Sequence, residues 1–151
     1  MKIILIFFLL GFTFSYDAYN ALVYSLRYCN NYNRDFNKYQ NRVEESANFA
    51  SQCISIGGGQ DFEGCEGRDD KGMFKSISAL KTCLISKGWK KTSVIKQGNP
   101  AFVEGNELAM IITRGPNYWH RVAFNSHGFD RCDAEALVKY LEFYSPWNYY
   151  Y

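Results

Sequence analysis

Only three prolines and two histidines occur among the 151 residues, and no Asn-x-Ser/Thr sequon or Cys-x-x-Cys pair occurs anywhere. The missing sequon argues against N-linked glycans. Two histidines and no paired-cysteine spacing argue against a zinc site, and Asp69-Asp70 lacks calcium-loop spacing and reads as a solvated loop or cap. No cofactor is expected. The formal net charge is +2 with acidic and basic residues interspersed, so there is no large single-sign field to attract nucleic acid or anionic lipid. Beyond Phe14 there is no long apolar run, and the run from Ile3 to Phe14 falls short of the about 20 residues that span a bilayer.

That run follows Met1-Lys2 and precedes the small residues Thr13 and Ser15, which is the pattern of an export signal over residues 1–15. A single domain over residues 16–151 is expected from the length, secreted and free of the membrane after cleavage. Five cysteines in an exported chain imply disulfides with one thiol left over. Cys65 and Cys83 flank a predicted helix and form the first candidate pair. Cys53 with Cys132 is the second, leaving Cys29 free or intermolecular. Twelve tyrosines, twelve phenylalanines and three tryptophans suit either a well-packed core or a sugar-binding, peptide-binding or self-associating surface. The aromatic segment Tyr144–Tyr151 reads as an exposed tail.

Tyr19, Leu22, Val23 and Leu26 recur at helical spacing behind Asp17, a capping residue, and predict an amphipathic first helix. Residues 30–41 read as a loop. Ser46, Phe49, Ala50, Cys53 and Ile54 predict a second helix with Ser46 at its N-terminus, stopped by Gly57-Gly58-Gly59. After a glycine-rich, charged loop over 61–72, Met73, Ile77, Leu80 and Leu84 predict a third helix ending at Gly88. Strands are expected over Thr92–Lys96, Leu108–Thr113 and Tyr118–Asn125, the last two joined by the turn-like Arg114-Gly115-Pro116-Asn117. A short turn and then a strand are expected within Asp133–Tyr144. Helices first and antiparallel strands later make an α+β fold.

The segment Glu45-Ser46-Ala47-Asn48-Phe49-Ala50-Ser51-Gln52-Cys53 up to Gly57-Gly58 resembles the Asp-Cys-Thr/Ala-Asn-Phe-Val-Ser-Gln-Cys signature of the putative amidase domain family, an NlpC-like branch of the papain-like cysteine hydrolases. The likeness continues through Gly58-Gly59-Gln60-Asp61, Asp69–Met73, Leu80–Leu84 and Lys87–Lys90, and covers roughly Tyr16 to Tyr144. It implies N-terminal helices packed on a small antiparallel sheet, with a nucleophile at a helix start and a histidine on a neighbouring strand. Ser46 stands where the cysteine is expected. Aligning Phe102–Ile111 with the family's Phe-x-x-Gly...His-Ala-Met-Ile strand puts Leu108 in the histidine's place, with His127 matching the distal His-Thr-x-Asp-x-Cys-Asp motif. The other register takes Trp119-His120 as the base-bearing strand. It leaves His127 seven residues later, about 23 Å away on the opposite face if one strand ran through both.

A serine hydroxyl is a far weaker nucleophile than a thiolate without an aligned base. The resemblance together with these departures points to a secreted, inactive amidase-like domain. It would self-assemble into an extracellular homopolymer, or bind cell-wall-type peptides or glycans in the old groove through Asn48, Gln52 and Trp119. The alternative is an active amidase using Ser46, or a native cysteine in its place, with His120 or His127.

Overall fold

The computed structural model describes residues 15–114, 120–124, 131–136 and 140–147. The expected signal segment before Ser15, the expected turn residues 115–117, Trp119, His127 and the tail beyond Trp147 therefore lie outside the described residues. The architecture is α+β, as expected: three helices pack on one face of an antiparallel sheet.

Helix α1 (Ala18–Tyr28) is capped by Asp17, whose carboxylate accepts from the Asn20 amide at 2.9 Å. Its face is the reverse of the expected one. Ala18, Ala21 and Ser25 are buried, whereas Tyr19, Val23 and Leu26 are 72%, 45% and 49% exposed. Backbone proximity explains the choice. A β-carbon on Gly98 would lie 1.7 Å from the Ala18 carbonyl oxygen, and one on Gly57 would lie 2.9 Å from the Ala21 α-carbon. Only small side chains fit between helix and partner at such distances.

Helix α2 (Arg42–Gln52) is capped by Asn41, which accepts from the Val43 and Glu44 amides, and it runs into a π-helical turn at Cys53–Gly57. It is buried along its whole second half, so polar Asn48, Ser51 and Gln52 lie inside with their hydrogen-bonding groups engaged by neighbours. Helix α3 (Ile77–Ser86) starts at its Ser76 cap, which leaves Met73 before the helix, buried in the preceding turn.

Six strands follow: β1 (Lys90–Thr92), β2 (Pro100–Val103), β3 (Ala109–Arg114), β4 (His120–Phe124), β5 (Arg131–Ala136) and β6 (Leu141–Ser145), in spatial order β1-β6-β2-β3-β4-β5. The strand expected at Thr92–Lys96 ends at Thr92, because its hydroxyl accepts from the Val94 amide at 3.0 Å and turns the chain out of the ladder. Strand β2 was not foreseen; its proline is the first residue, where a missing amide costs no ladder bond. Asp133–Tyr144 holds parts of two strands instead of a turn and one strand, since β5 pairs along β4 with Val122 opposite Ala134. That pairing also overturns the idea of one strand through both histidines, because the chain reverses between Phe124 and Arg131.

Phe102, Ala109, Ile111, Ala123 and Tyr144 face the helices, while Ala101, Met110, Ile112, Val122 and Phe143 form a second apolar cluster on the other face. The alternation is the period-2 signature of strands. Tyr144 and Ser145 are buried in β6, and Trp147 packs on Tyr16 with ring centroids 5.9 Å apart, so the aromatic segment is built into the domain as far as Trp147. Cys65 pairs with Cys83, as expected. The second disulfide joins Cys29 to Cys132, Cα atoms 5.2 Å apart, and ties the end of α1 to β5. Cys53 is the free thiol, fully buried in the π-helical turn rather than directed at β5, and burial pushes its pKa well up.

Candidate functional site

Position 46 lies deeper in its helix than expected. Arg42 opens α2, so Ser46 begins the second turn, past the first-turn amides on which the helix dipole acts most strongly. Its hydroxyl is completely buried. It donates to the Val43 carbonyl at 2.9 Å and accepts from the Ala109 amide at 3.1 Å. Both the proton and a lone pair are thus committed to backbone. The Ala109 amide belongs to the peptide that begins at Leu108, the residue before β3, whose side chain packs half-buried against the second apolar cluster, on the sheet face away from the helices.

His120 opens β4 at the far end of the sheet. Arg121 stands opposite Arg114, and Ala109 lies five residues earlier on β3, so roughly 17 Å of strand separates the Ser46 contact from that level. Phe124 and Arg131, the paired residues on either side of His127, close the opposite end of the β4–β5 ladder, toward the start of β3. His127 and Trp119 themselves lie outside the described residues.

The remaining candidates serve the scaffold around this point. Gln52 is six residues past Ser46, roughly 9 Å along the axis and 240° around it. Its side-chain oxygen accepts from the Tyr24 hydroxyl and its amide donates to Asn48. Asn48 in turn donates to the Asn37 carbonyl and holds the loop before α2. Buried Glu45 accepts from the Tyr39 amide at 2.6 Å. The Tyr39 hydroxyl donates to Asp69 at 2.8 Å; burial, reinforced by that carboxylate, pushes the phenol up to about 12. Burial alone would raise the Asp69 carboxyl, but bonds from the Met73 amide, Tyr39, Asn37 and the Lys71 amide outweigh it and hold it below the usual carboxylate range. Asp69 is accordingly a turn cap, the role its loop suggested. Among the described residues no group of three or more His, Cys, Asp or Glu is placed to hold a metal.

A groove of about 610 Å³ lies over this end of α2, lined by Arg42, Val43, Val103, Gly105, Asn106, Glu107 and Leu108. Asn106 is fixed at its rim by the Lys81 ammonium at 2.6 Å, which also pairs with Glu142. Val43 and Leu108, the two side chains beside Ser46's backbone partners, both line it, and the hydroxyl does not reach it. A family model described as putative amidase domain matches residues 15–127. The chain belongs to that family. The match takes in Ser46, Leu108 and both histidines, ending at His127. No curated protein and no solved structure matches the chain. The groove's lining combines the aliphatic Val43, Val103 and Leu108 with one basic and one acidic residue, Arg42 and Glu107. Asn106 and Lys81 escaped notice in the sequence; a Gly-Asn pair at a hairpin turn was the available signal, since Asn106 sits at φ +58 where asparagine is tolerated best.

Proposed function

We propose that this amidase-family domain is a secreted pseudoenzyme that keeps the papain-like scaffold, carries out no amide hydrolysis, and serves as a self-associating structural component outside the cell. The observation that carries the reading is the state of Ser46: fully buried, its proton donated to Val43 and its oxygen bonded by the Ala109 amide. A nucleophile has to reach its substrate and a base within hydrogen-bond distance, about 2.6–3.2 Å. This hydroxyl is bonded to backbone on both counts and sealed from the groove. Export is supported by the apolar leader and by two disulfides.

The test is hydrolysis of cell-wall-type peptides and simple amides by the exported chain, alongside Ser46→Ala. The expected rate equals that of buffer for both. Turnover by the natural chain that Ser46→Ala or His127→Ala abolishes would establish an active serine amidase instead. The position of Phe124 and Arg131 at the Ser46 end of the sheet is the one observation favouring that rival, and it makes His127→Ala the informative control.

A further inference from the structure

Lys81 meets the two groups that an amine needs in order to form an amide: a carboxylate to carry its proton and an amide carbon to attack. Glu142 stands opposite Phe102 across the β2–β6 pair, and cross-strand partners share a face, here the one toward the helices. Lys81 reaches this point from the middle of α3. Its nitrogen lies 2.5 Å from Glu142 Oε2, 2.6 Å from Asn106 Oδ1 and 5.1 Å from the centroid of the buried Phe102 ring. The lysine and glutamate side chains are only 13% and 22% exposed. Asn106 is held in the turn between β2 and β3 at φ +58, its backbone amide donating to the Val103 carbonyl. An ammonium can only donate, so the asparagine side chain faces it with oxygen. A C=O length of about 1.23 Å and an acceptor angle of about 120° put Asn106 Cγ roughly 3.4 Å from the Lys81 nitrogen, the separation of a near-attack arrangement.

We propose that Lys81 and Asn106 join through an intramolecular amide bond, with Glu142 as the proton carrier and ammonia as the leaving group. Glu142 takes one proton from the Lys81 ammonium, and the freed lone pair attacks Cγ while the C=O electrons move to Oδ1. Glu142 hands that proton to Nδ2 and takes a second from Nζ. The carbonyl re-forms, the Cγ–Nδ2 bond breaks with its electrons going to nitrogen, and the ammonia released collects the second proton from Glu142 to leave as ammonium. One C–N bond forms, one breaks, and nothing is oxidised. Asn106 lines the groove beside α2, which gives the leaving group a way out.

Lys91 makes the product tolerable. It lies 2.8 Å from Glu142 Oε1, so the carboxylate keeps a cation after Lys81 has become a neutral amide. Hydrogen bonds from Lys81 and then Lys91 also hold the Glu142 carboxyl below its usual range, so its uptake of a proton is uphill and the bond forms slowly, in the folded chain. The product ties α3 to a turn 25 residues along the chain and, unlike the two disulfides, survives reducing agents. It needs nothing from Ser46, so this inference and the pseudoenzyme reading can fail separately.

Mass spectrometry of the exported natural chain, reduced and digested with trypsin, tests it. Expected is a branched peptide joining Lys81 to Asn106, uncut after Lys81 and about 17 Da lighter than its two parts together. Lys81→Arg and Asn106→Ala are expected to lack it, and Glu142→Gln to form it at least about tenfold more slowly. The natural-chain digest is decisive even where a variant fails to fold. Separate Lys81 and Asn106 peptides at full mass, after prolonged incubation of the folded chain, overturn the inference. So does a deficit of about 17 Da that persists in Asn106→Ala, because the ammonia then comes from elsewhere. Bond formation at the natural rate in Glu142→Gln overturns the mechanism.

Discussion

Replacing Ser46 with alanine separates a structural hydroxyl from a catalytic one by the sign of the stability change. The Ser46 oxygen is the acceptor for the Ala109 amide at 3.1 Å, and both residues are fully inaccessible to water. Removing it leaves a buried amide without that partner, which costs about 1–3 kcal/mol. The lost bond to the Val43 carbonyl adds less, since a carbonyl can keep a second partner. For a domain of this size each kilocalorie shifts the melting temperature by roughly 3–4 °C, so Ser46→Ala is expected to melt about 3–12 °C lower. Urea unfolding followed by fluorescence of the three tryptophans should show a lower midpoint at an unchanged slope. Catalytic side chains behave oppositely, because active sites are held in arrangements that cost stability and their removal commonly raises it. A Ser46→Ala variant as stable as the natural chain, or more stable, refutes the structural role argued for this hydroxyl.

Three further outcomes follow from contacts elsewhere. Asp69 has its folded pKa depressed, so its stabilisation is complete above the ordinary carboxylate range and is lost as pH falls through that range and below it; the stability difference between the natural chain and Asp69→Asn should shrink from pH 6 to pH 2 in urea titrations, and a difference that grows would reverse the assigned sign. Chain-entropy reasoning gives about 4.7 kcal/mol for closing a loop near 100 residues and about 3 for one near 15, so Cys29→Ser/Cys132→Ser should lower the calorimetric melting temperature more than Cys65→Ser/Cys83→Ser; equal shifts would count against that reasoning. Gly98→Ala should cost at least about 2 kcal/mol in a melt, since Gly98 has φ +84 and the new β-carbon meets the Ala18 oxygen, and a neutral result would mean that α1 does not dock where described.

Elements set by local chemistry could be read from residues alone. Asp17 caps α1 as expected, and the paired cysteines around α3 lie close in the chain as well as in space. Misreadings arose where a distant neighbour decides. The stripe on α1 announced a helix correctly and its buried face wrongly, because the docking partners, Gly57 and Gly98, are remote glycines without side-chain periodicity. Cys132 pairs with Cys29 rather than Cys53 because β5 forms one edge of the six-stranded sheet, a placement with no local signature. At the candidate site, alignment identified positions 46 and 108 as the ones to watch. Only the fold revealed that the Ser46 hydroxyl spends its bonds on backbone. Asn48 and Gln52 likewise looked available for a ligand until the Tyr24 and Asn37 partners were located.

Strand β6 is the last of the described strands and lies between β1 and β2 in the sheet. During synthesis, therefore, β1 and β2 have no common neighbour until residues 141–145 have left the ribosome, and the sheet cannot close domain-first from the N-terminus. Non-local pairing of this kind slows folding. Cys29 emerges about a hundred residues before Cys132 and meets Cys65 and Cys83 first. Mispaired disulfides are the expected early products of oxidative folding, to be resolved by thiol–disulfide exchange over seconds to hours, against about a microsecond for helix formation.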